Sequence, residues 1–146
     1  VSWTRISIAF QPYVFNDLKF LPLICYEMIF SGSLNLQKKP YDLIINISED
    51  GWFNKSVGVT QHFIHSKFRA IEQGKHVVRS TNQGITSSIL PNGIINKSTD
   101  FNGFSTIVTP VYTNSKTTLF SKYENYIFCL LLSLVSIIVI IFKKNE

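Results

Sequence analysis

The sequence predicts an α/β domain built on a mixed sheet, followed by one membrane-spanning helix. Three observations predict it. Residues 21–25 (LPLIC) and 42–48 (DLIINIS) are short apolar runs, as for buried strands. A helical pattern follows them, and then a series of short segments bounded by Asn, Gly or Pro. Finally, residues 126–142 (YIFCLLLSLVSIIVIIF) carry no charge and run directly into Lys143 and Lys144. Composition agrees with an ordered domain. Charged residues make up 16% and aromatics 14% of the 146 residues, which excludes the high-charge, low-hydrophobicity signature of disorder. Two cysteines, Cys25 and Cys129, are too few and too far apart for a disulfide scaffold. The length admits a single domain of ordinary size.

Taken in order, residues 37–40 form a polar connection between the first two strands, and residues 48–56 (SEDGWFNKS) form a polar loop. Val57, Ile64, Phe68 and Ile71 then recur at spacings of seven, four and three, which places them on one face of a helix that Gly74 ends. Four further strand-like segments follow at 76–81, 85–90, 93–96 and 105–109. Pro91-Asn92-Gly93 is a hairpin turn, because Asn and Gly tolerate positive φ. There is no internal repeat and no low-complexity linker. Asn46, Asn54 and Asn96 each begin an N-x-Ser triplet, as expected by chance in an Asn-rich chain.

The terminal apolar run of about 17 residues would extend roughly 25 Å as a helix, near the lower limit for crossing a bilayer core. Tyr123 and Tyr126 sit where an aromatic belt would lie, and Lys143 and Lys144 favour a cytoplasmic C-terminus. The preceding ~120 residues would then lie on the outer face. A buried core helix is the other reading of the same run. Cys129 lies inside it as an apolar filler. The N-terminus has no basic region leading into an apolar core, as a signal peptide would. The absence of Met at position 1 suggests a piece of something longer.

Four groups of residues could carry chemistry. Cys25 ends an apolar strand before a change of direction, where open α/β sheets place reactive groups. A nucleophilic Cys also needs a base and oxyanion donors. Glu27 would share its face if the strand continued; the plainer reading is a buried Cys beside a surface Glu. In Glu49-Asp50-Gly51-Trp52-Phe53, paired carboxylates could bind a metal, act as acid and base, or cap the turn. Trp52 and Phe53 could touch lipid or ligand, or pack under the loop. On the helix, His62 and His65 are three apart, but no third ligand stands at a recognisable spacing, so no metal is expected. Arg69 and Glu72 are spaced for an ion pair. Arg79 to Gly84 (RSTNQG) is a turn able to present donors to a ligand, or a plain turn.

In order along the chain, Leu23-Ile24-Cys25-Tyr26-Glu27, Asp50-Gly51-Trp52-Phe53, Gln61-His62, Arg69-Ala70-Ile71-Glu72, Arg79-Ser80-Thr81-Asn82-Gln83-Gly84, and then Ile85-Thr86-Ser87-Ser88-Ile89 with Gly93 resemble the apolipoprotein N-acyltransferase family, membrane members of the nitrilase superfamily. The resemblance runs from about Phe20 to the terminal helix. It implies the C-terminal part of a nitrilase-like (carbon-nitrogen hydrolase) αββα sandwich over residues 1–122, a transmembrane helix over 126–142 and a short basic cytoplasmic tail over 143–146. It implies a periplasmic domain on the bacterial inner membrane and a Glu-Lys-Cys triad without cofactor or metal. The Cys takes an acyl chain from a phospholipid donor as a thioester and passes it to the N-terminal diacylglyceryl-cysteine of a lipoprotein acceptor. By match, Cys25 is the nucleophile, Tyr26 and Glu27 support it, and Trp52 and Phe53 stand in the loop beside the site.

This chain departs from the family in several places. The triad Glu and Lys lie upstream of the Cys in the family, whereas here the only carboxylate before Cys25 is Asp17 and the only Lys is Lys19, in no matching context. Glu49 stands where the family usually has Asn or a similar small polar residue, and Asn54 and Glu124 stand where Gly is common. The first ~19 residues match poorly. Three readings follow: the C-terminal portion of a split acyltransferase that works with its upstream N-terminal portion, a degraded non-catalytic remnant, or a membrane-anchored nitrilase-like amidase. A membrane-anchored binding module is the non-enzyme alternative. The net charge of +5 suits anionic headgroups, and its scattered Lys and Arg do not suit nucleic acid.

Overall fold

The computed structural model describes residues 11–32, 34, 39–54, 56–99, 105–113 and 116–144. Gln37 and Lys38 of the expected polar connection, and the tail beyond Lys144, lie outside the described residues. Six strands form one mixed sheet in the order β1 to β6: β1 (Tyr13–Phe15), β2 (Leu18–Ile24), β3 (Leu43–Ser48), β4 (His76–Thr81), β5 (Ser87–Ile89) and β6 (Ile95–Ser98). The three central strands β2, β3 and β4 are parallel, and antiparallel hairpins flank them on both sides. The α/β class and the mixed sheet are therefore as the sequence predicts.

The boundaries differ where local chemistry intervenes. β2 starts at Leu18, because Asn16 and Asp17 adopt positive φ and close a two-residue hairpin onto β1. It stops at Ile24, so Cys25 lies outside the strand. β5 and β6 are shorter or later than the expected 85–90 and 93–96, because the Pro91-Asn92-Gly93 turn closes with Leu90 N–H donating to the Ile94 carbonyl, 2.8 Å away. The strand expected at 105–109 does not form. That segment crosses the sheet as irregular chain, where Thr109 Oγ1 lies 3.0 Å from Ser88 Oγ and the Tyr112 N–H donates to His76 Nδ1 at 3.2 Å.

Helix α1 (Val57–Gln73) packs on one sheet face. Ser56 caps its start by accepting from the Gly58 N–H, and Gly74 ends it with φ +61°, a conformation that Cβ-bearing residues adopt at a cost. The helix and its stop are as the spacing predicts. Its apolar stripe, however, faces away from the sheet: Val57 is 69% exposed and Phe68 51%. The inward face instead carries Val59, His62, Phe63, Ser66, Arg69, Ala70 and Gln73. At 3.6 residues per turn these two sets lie on opposite sides of the helix. The core joins Leu21, Leu23, Ile44, Val77 and Ile89 of the sheet to Phe63 and Ala70 of α1, with Met28, Leu34 and Tyr41. The opposite sheet face leaves Ile24 65% and Ile47 61% exposed.

A short helix, α2 (Leu119–Tyr123), leads into α3 (Tyr126–Lys144). From Tyr126 to Lys143, α3 is apolar and long enough to cross a membrane, and none of that stretch is buried against the domain. Its hydroxyls are satisfied within the helix, Ser133 Oγ donating to the Leu130 carbonyl and Ser136 Oγ to Leu132, both at 2.8 Å.

Two predictions follow from the backbone and from His76. Asn54 (φ +48°) and Glu124 (φ +50°) occupy left-handed backbone. Asn54→Gly and Glu124→Gly should each raise stability by about 1 kcal/mol, read as a shifted urea midpoint at constant slope. Burial holds the His76 ring below the ordinary histidine range. Its Nδ1 accepts from Tyr112 N–H, so Nε2 is the nitrogen that donates to Ser88 Oγ at 2.8 Å. Because the folded state binds this proton less readily than the unfolded chain, stability should be complete above about pH 6.5 and fall as pH drops below it. His76→Gln should flatten that decline in pH-dependent urea melts.

Candidate active site

The parallel strands β2, β3 and β4 end together, and the loops beyond them converge. β2 passes at Ile24 into a 3₁₀ turn, Cys25–Ile29. Cys25 enters this turn with φ +48°, a left-handed conformation that costs a Cβ-bearing residue about 1–2 kcal/mol. The surrounding chain holds it there. The Glu27 carboxylate accepts from the Ile24 N–H at 2.7 Å, the Asn46 amide donates to the Leu23 carbonyl at 3.0 Å, and His62 Nε2 lies 3.2 Å from the Cys25 carbonyl. Cys25 is half-buried, and its Sγ–H donates to the Glu49 carbonyl at 3.7 Å.

Beneath this turn lies a buried polar cluster. The Asp50 carboxylate accepts from Arg79 at 2.6 Å and Ser48 at 2.7 Å, and lies 2.9 Å from His62 Nδ1. Asp50 and Arg79 are fully buried. Arg79 also donates to Asn46 and, at 3.3 Å, to Ser66. Burial alone would raise the Asp50 carboxyl; His62, the Arg79 charge and Ser48 outweigh it and hold the group below the usual carboxylate range. Gly84 closes over the pair, where a Cβ would collide with the Asp50 carboxylate.

The expected residues are distributed unevenly around Cys25. With the strand ended at Ile24, Glu27 does not share a strand face with Cys25 but turns back to cap the 3₁₀ turn. Tyr26 is exposed, with its ring 6.1 Å from Phe30 in an edge-to-face arrangement. Trp52 is 83% exposed on the neighbouring loop, while Phe53 packs 5.5 Å from the His62 ring. Glu49 and Asp50 separate: the Glu49 carboxylate binds the Gly51 N–H at 2.8 Å and the Asn82 amide, and Asp50 points inward. Among the described residues no three His, Cys, Asp or Glu side chains gather to hold a metal ion. Arg69 and Glu72 form the expected ion pair at 2.7 Å. It also anchors the end of the 3₁₀ turn, through Arg69 to the Ile29 carbonyl at 3.0 Å and Ser31 to Glu72 at 3.1 Å. The turn 79–84 uses its polar groups within the protein itself: the Asn82 amide donates to the Glu49 carboxylate, and Asn82 Oδ1 accepts from the Asp50 N–H at 3.3 Å.

Sequence reasoning missed Asn46 and the Asp50–Arg79 pair. The signals were a single Asn inside the apolar run DLIINIS and an Arg inside the strand HVVRST. Removing one partner of a buried pair leaves an uncompensated charge. Arg79→Met should therefore cost about 3–5 kcal/mol of unfolding free energy, measured by urea denaturation in detergent micelles.

The profile of the carbon-nitrogen hydrolase family matches residues 5–113. Apolipoprotein N-acyltransferase of Rickettsia prowazekii (strain Madrid E) is 41% identical over 124 residues, covering 84% of this chain and 25% of that protein. The protein of the same name from Rickettsia bellii (strain RML369-C) is 41% identical over 111 residues, covering 75% of this chain and 22% of its own. That of Wigglesworthia glossinidia brevipalpis is 36% identical over 138 residues, or 88% and 27%. The chain thus spans about a quarter of the length of the curated relatives it matches.

Proposed function

Because the chain belongs to the carbon-nitrogen hydrolase family, we propose that it is the C-terminal portion of an apolipoprotein N-acyltransferase that carries the nucleophile, Cys25. The observation that carries this reading is the placement of Cys25. It sits half-buried at positive φ where a parallel strand passes into a 3₁₀ turn, with Tyr26 and Trp52 exposed nearby. The apolar helix α3 supports attachment to a membrane.

In this reading the Cys25 thiolate attacks the ester carbonyl of a phospholipid. A C–S bond forms, the ester C–O bond breaks, and the departing lysophospholipid oxygen takes a proton. The α-amino group of a diacylglyceryl-cysteine then attacks the thioester. A C–N bond forms, the C–S bond breaks, and thiolate is regenerated as the amine proton passes to a base. Among the described residues Sγ has the Glu49 carbonyl as its hydrogen-bond partner; the base and the oxyanion donor are, as the family resemblance implies, a Glu and a Lys of an upstream N-terminal portion. Tyr26 and Glu27 support the turn, and Trp52 and Phe53 border the entry for acyl chains. The domain, residues 1–122, stands on the periplasmic side of the inner membrane, residues 126–142 span it, and residues 143–146 are cytoplasmic.

Intact-mass analysis of the chain purified from membranes tests the reading. It is expressed alone and together with the N-terminal portion of the Rickettsia prowazekii relative. An acyl-sized adduct that hydroxylamine removes and Cys25→Ser abolishes is expected on co-expression. Its absence from both preparations would show a remnant without this chemistry.

A further inference from the structure

His62 is fully enclosed on the inward face of α1, yet it reaches the backbone of Cys25 rather than its thiol. The Cys25 carbonyl can only accept, so a bond to it requires a proton on His62 Nε2. On its other side Nδ1 lies 2.9 Å from Asp50 Oδ1 and 3.3 Å from the Arg79 guanidinium; the carboxylate can only accept, so the ring makes both bonds at once as the imidazolium, with a proton on each nitrogen. The flanking rings of Phe53 and Tyr26, at 5.5 and 6.5 Å, fix its plane. The strained segment is thus tied to the buried cluster at two carbonyls. Asn46 holds Leu23 and His62 holds Cys25, and both lead to Arg79.

We propose that His62 is the positioning residue of Cys25: its Nε2–H holds the Cys25 carbonyl, and so keeps the left-handed Cys25 backbone that sets the direction of the thiol. The Asp50–Arg79 pair fixes the ring for that purpose. The role rests on Cys25 being the nucleophile, but it can be read without acyl transfer. Misplacing a reacting atom by about an ångström is worth up to roughly a hundredfold in rate, so a single hydrogen bond to the turn is enough to matter.

The test is the second-order rate of Cys25 alkylation by iodoacetamide at neutral pH, in the full chain in micelles, with Cys129→Ser to leave one thiol. The two amide substitutions separate the two sides of the ring. Gln places its amide near Nε2 and can still donate to the Cys25 carbonyl, whereas Asn reaches only toward Asp50. His62→Asn should slow alkylation about tenfold or more, and His62→Gln should recover the rate to within about threefold of the parent. Equal rates for both variants, or the reverse order, would overturn the proposal and assign His62 to supporting Asp50 alone. If either variant fails to fold by circular dichroism, ¹⁵N NMR of the ring in the unsubstituted chain decides. A proton on Nε2 is expected, and a bare Nε2 would refute the role. The expected alkylation order without any acyl adduct would leave the positioning role standing and remove the acyltransferase reading.

Discussion

The Asp50–Arg79 pair is the constraint around which the site is arranged. Two opposite charges with no exposed surface are costly unless the groups around them are matched; here both Asp50 oxygens and the Arg79 Nη1 and Nη2 find partners, while Arg79 Nε has none among the described residues. That requirement explains choices that otherwise look unfavourable. An Asn stands in the middle of an apolar strand, a Ser at its end, and His and Ser on the inward face of a helix. It also explains why residue 84 has no side chain. The same cluster reaches up to the backbone on either side of the cysteine. The turn that carries Cys25 is therefore suspended from the interior as well as from the neighbouring loop.

This arrangement also decides what the sequence could reveal. Strands β3 and β4 were legible because their apolar, β-branched runs are bounded by turn residues, and helix α1 because its apolar residues keep a helical spacing up to Gly74. Which side of α1 faces inward was not legible. Periodicity locates a stripe but not its partner, and here the inward face mixes apolar residues (Val59, Phe63, Ala70) with polar ones (His62, Ser66, Arg69) that meet the buried ion pair and the Cys25 turn, so Val57, Ile64, Phe68 and Ile71 lie outward. The irregular path of residues 105–113 was hidden for a related reason. A run such as STIVT reads as a strand, yet what fixes it is contact through Thr109 and Tyr112 with buried polar groups of the sheet. Cys25 and the Trp52–Phe53 loop could be located by motif, but the strain at Cys25 and the inward turn of Asp50 depend on contacts more than twenty residues away in sequence.

Three of the departures from the resemblance, Glu49, Asn54 and Glu124, have a local structural reading. Glu49, where Asn is usual, spends its carboxylate on the Gly51 N–H and the Asn82 amide, and so keeps the loop closed beside Cys25. Asn54 and Glu124, where Gly is common, both sit at positive φ. At both positions the backbone has a conformation that glycine would adopt without strain. Such substitutions erode stability in small steps without altering the path of the chain.

The burial of one ion pair between a sheet and a helix has a consequence for how the domain assembles. Asp50 follows β3, Arg79 lies in β4, and the intervening chain includes the whole of α1, which also covers them. Neither charge can leave water until the other arrives, and the helix cannot seat its polar face until both are matched. Pairing of β3 with β4 and docking of α1 are thereby fused into a single cooperative event. A chain that has formed only one of the two holds an open, water-filled interior, and has little to gain by waiting there.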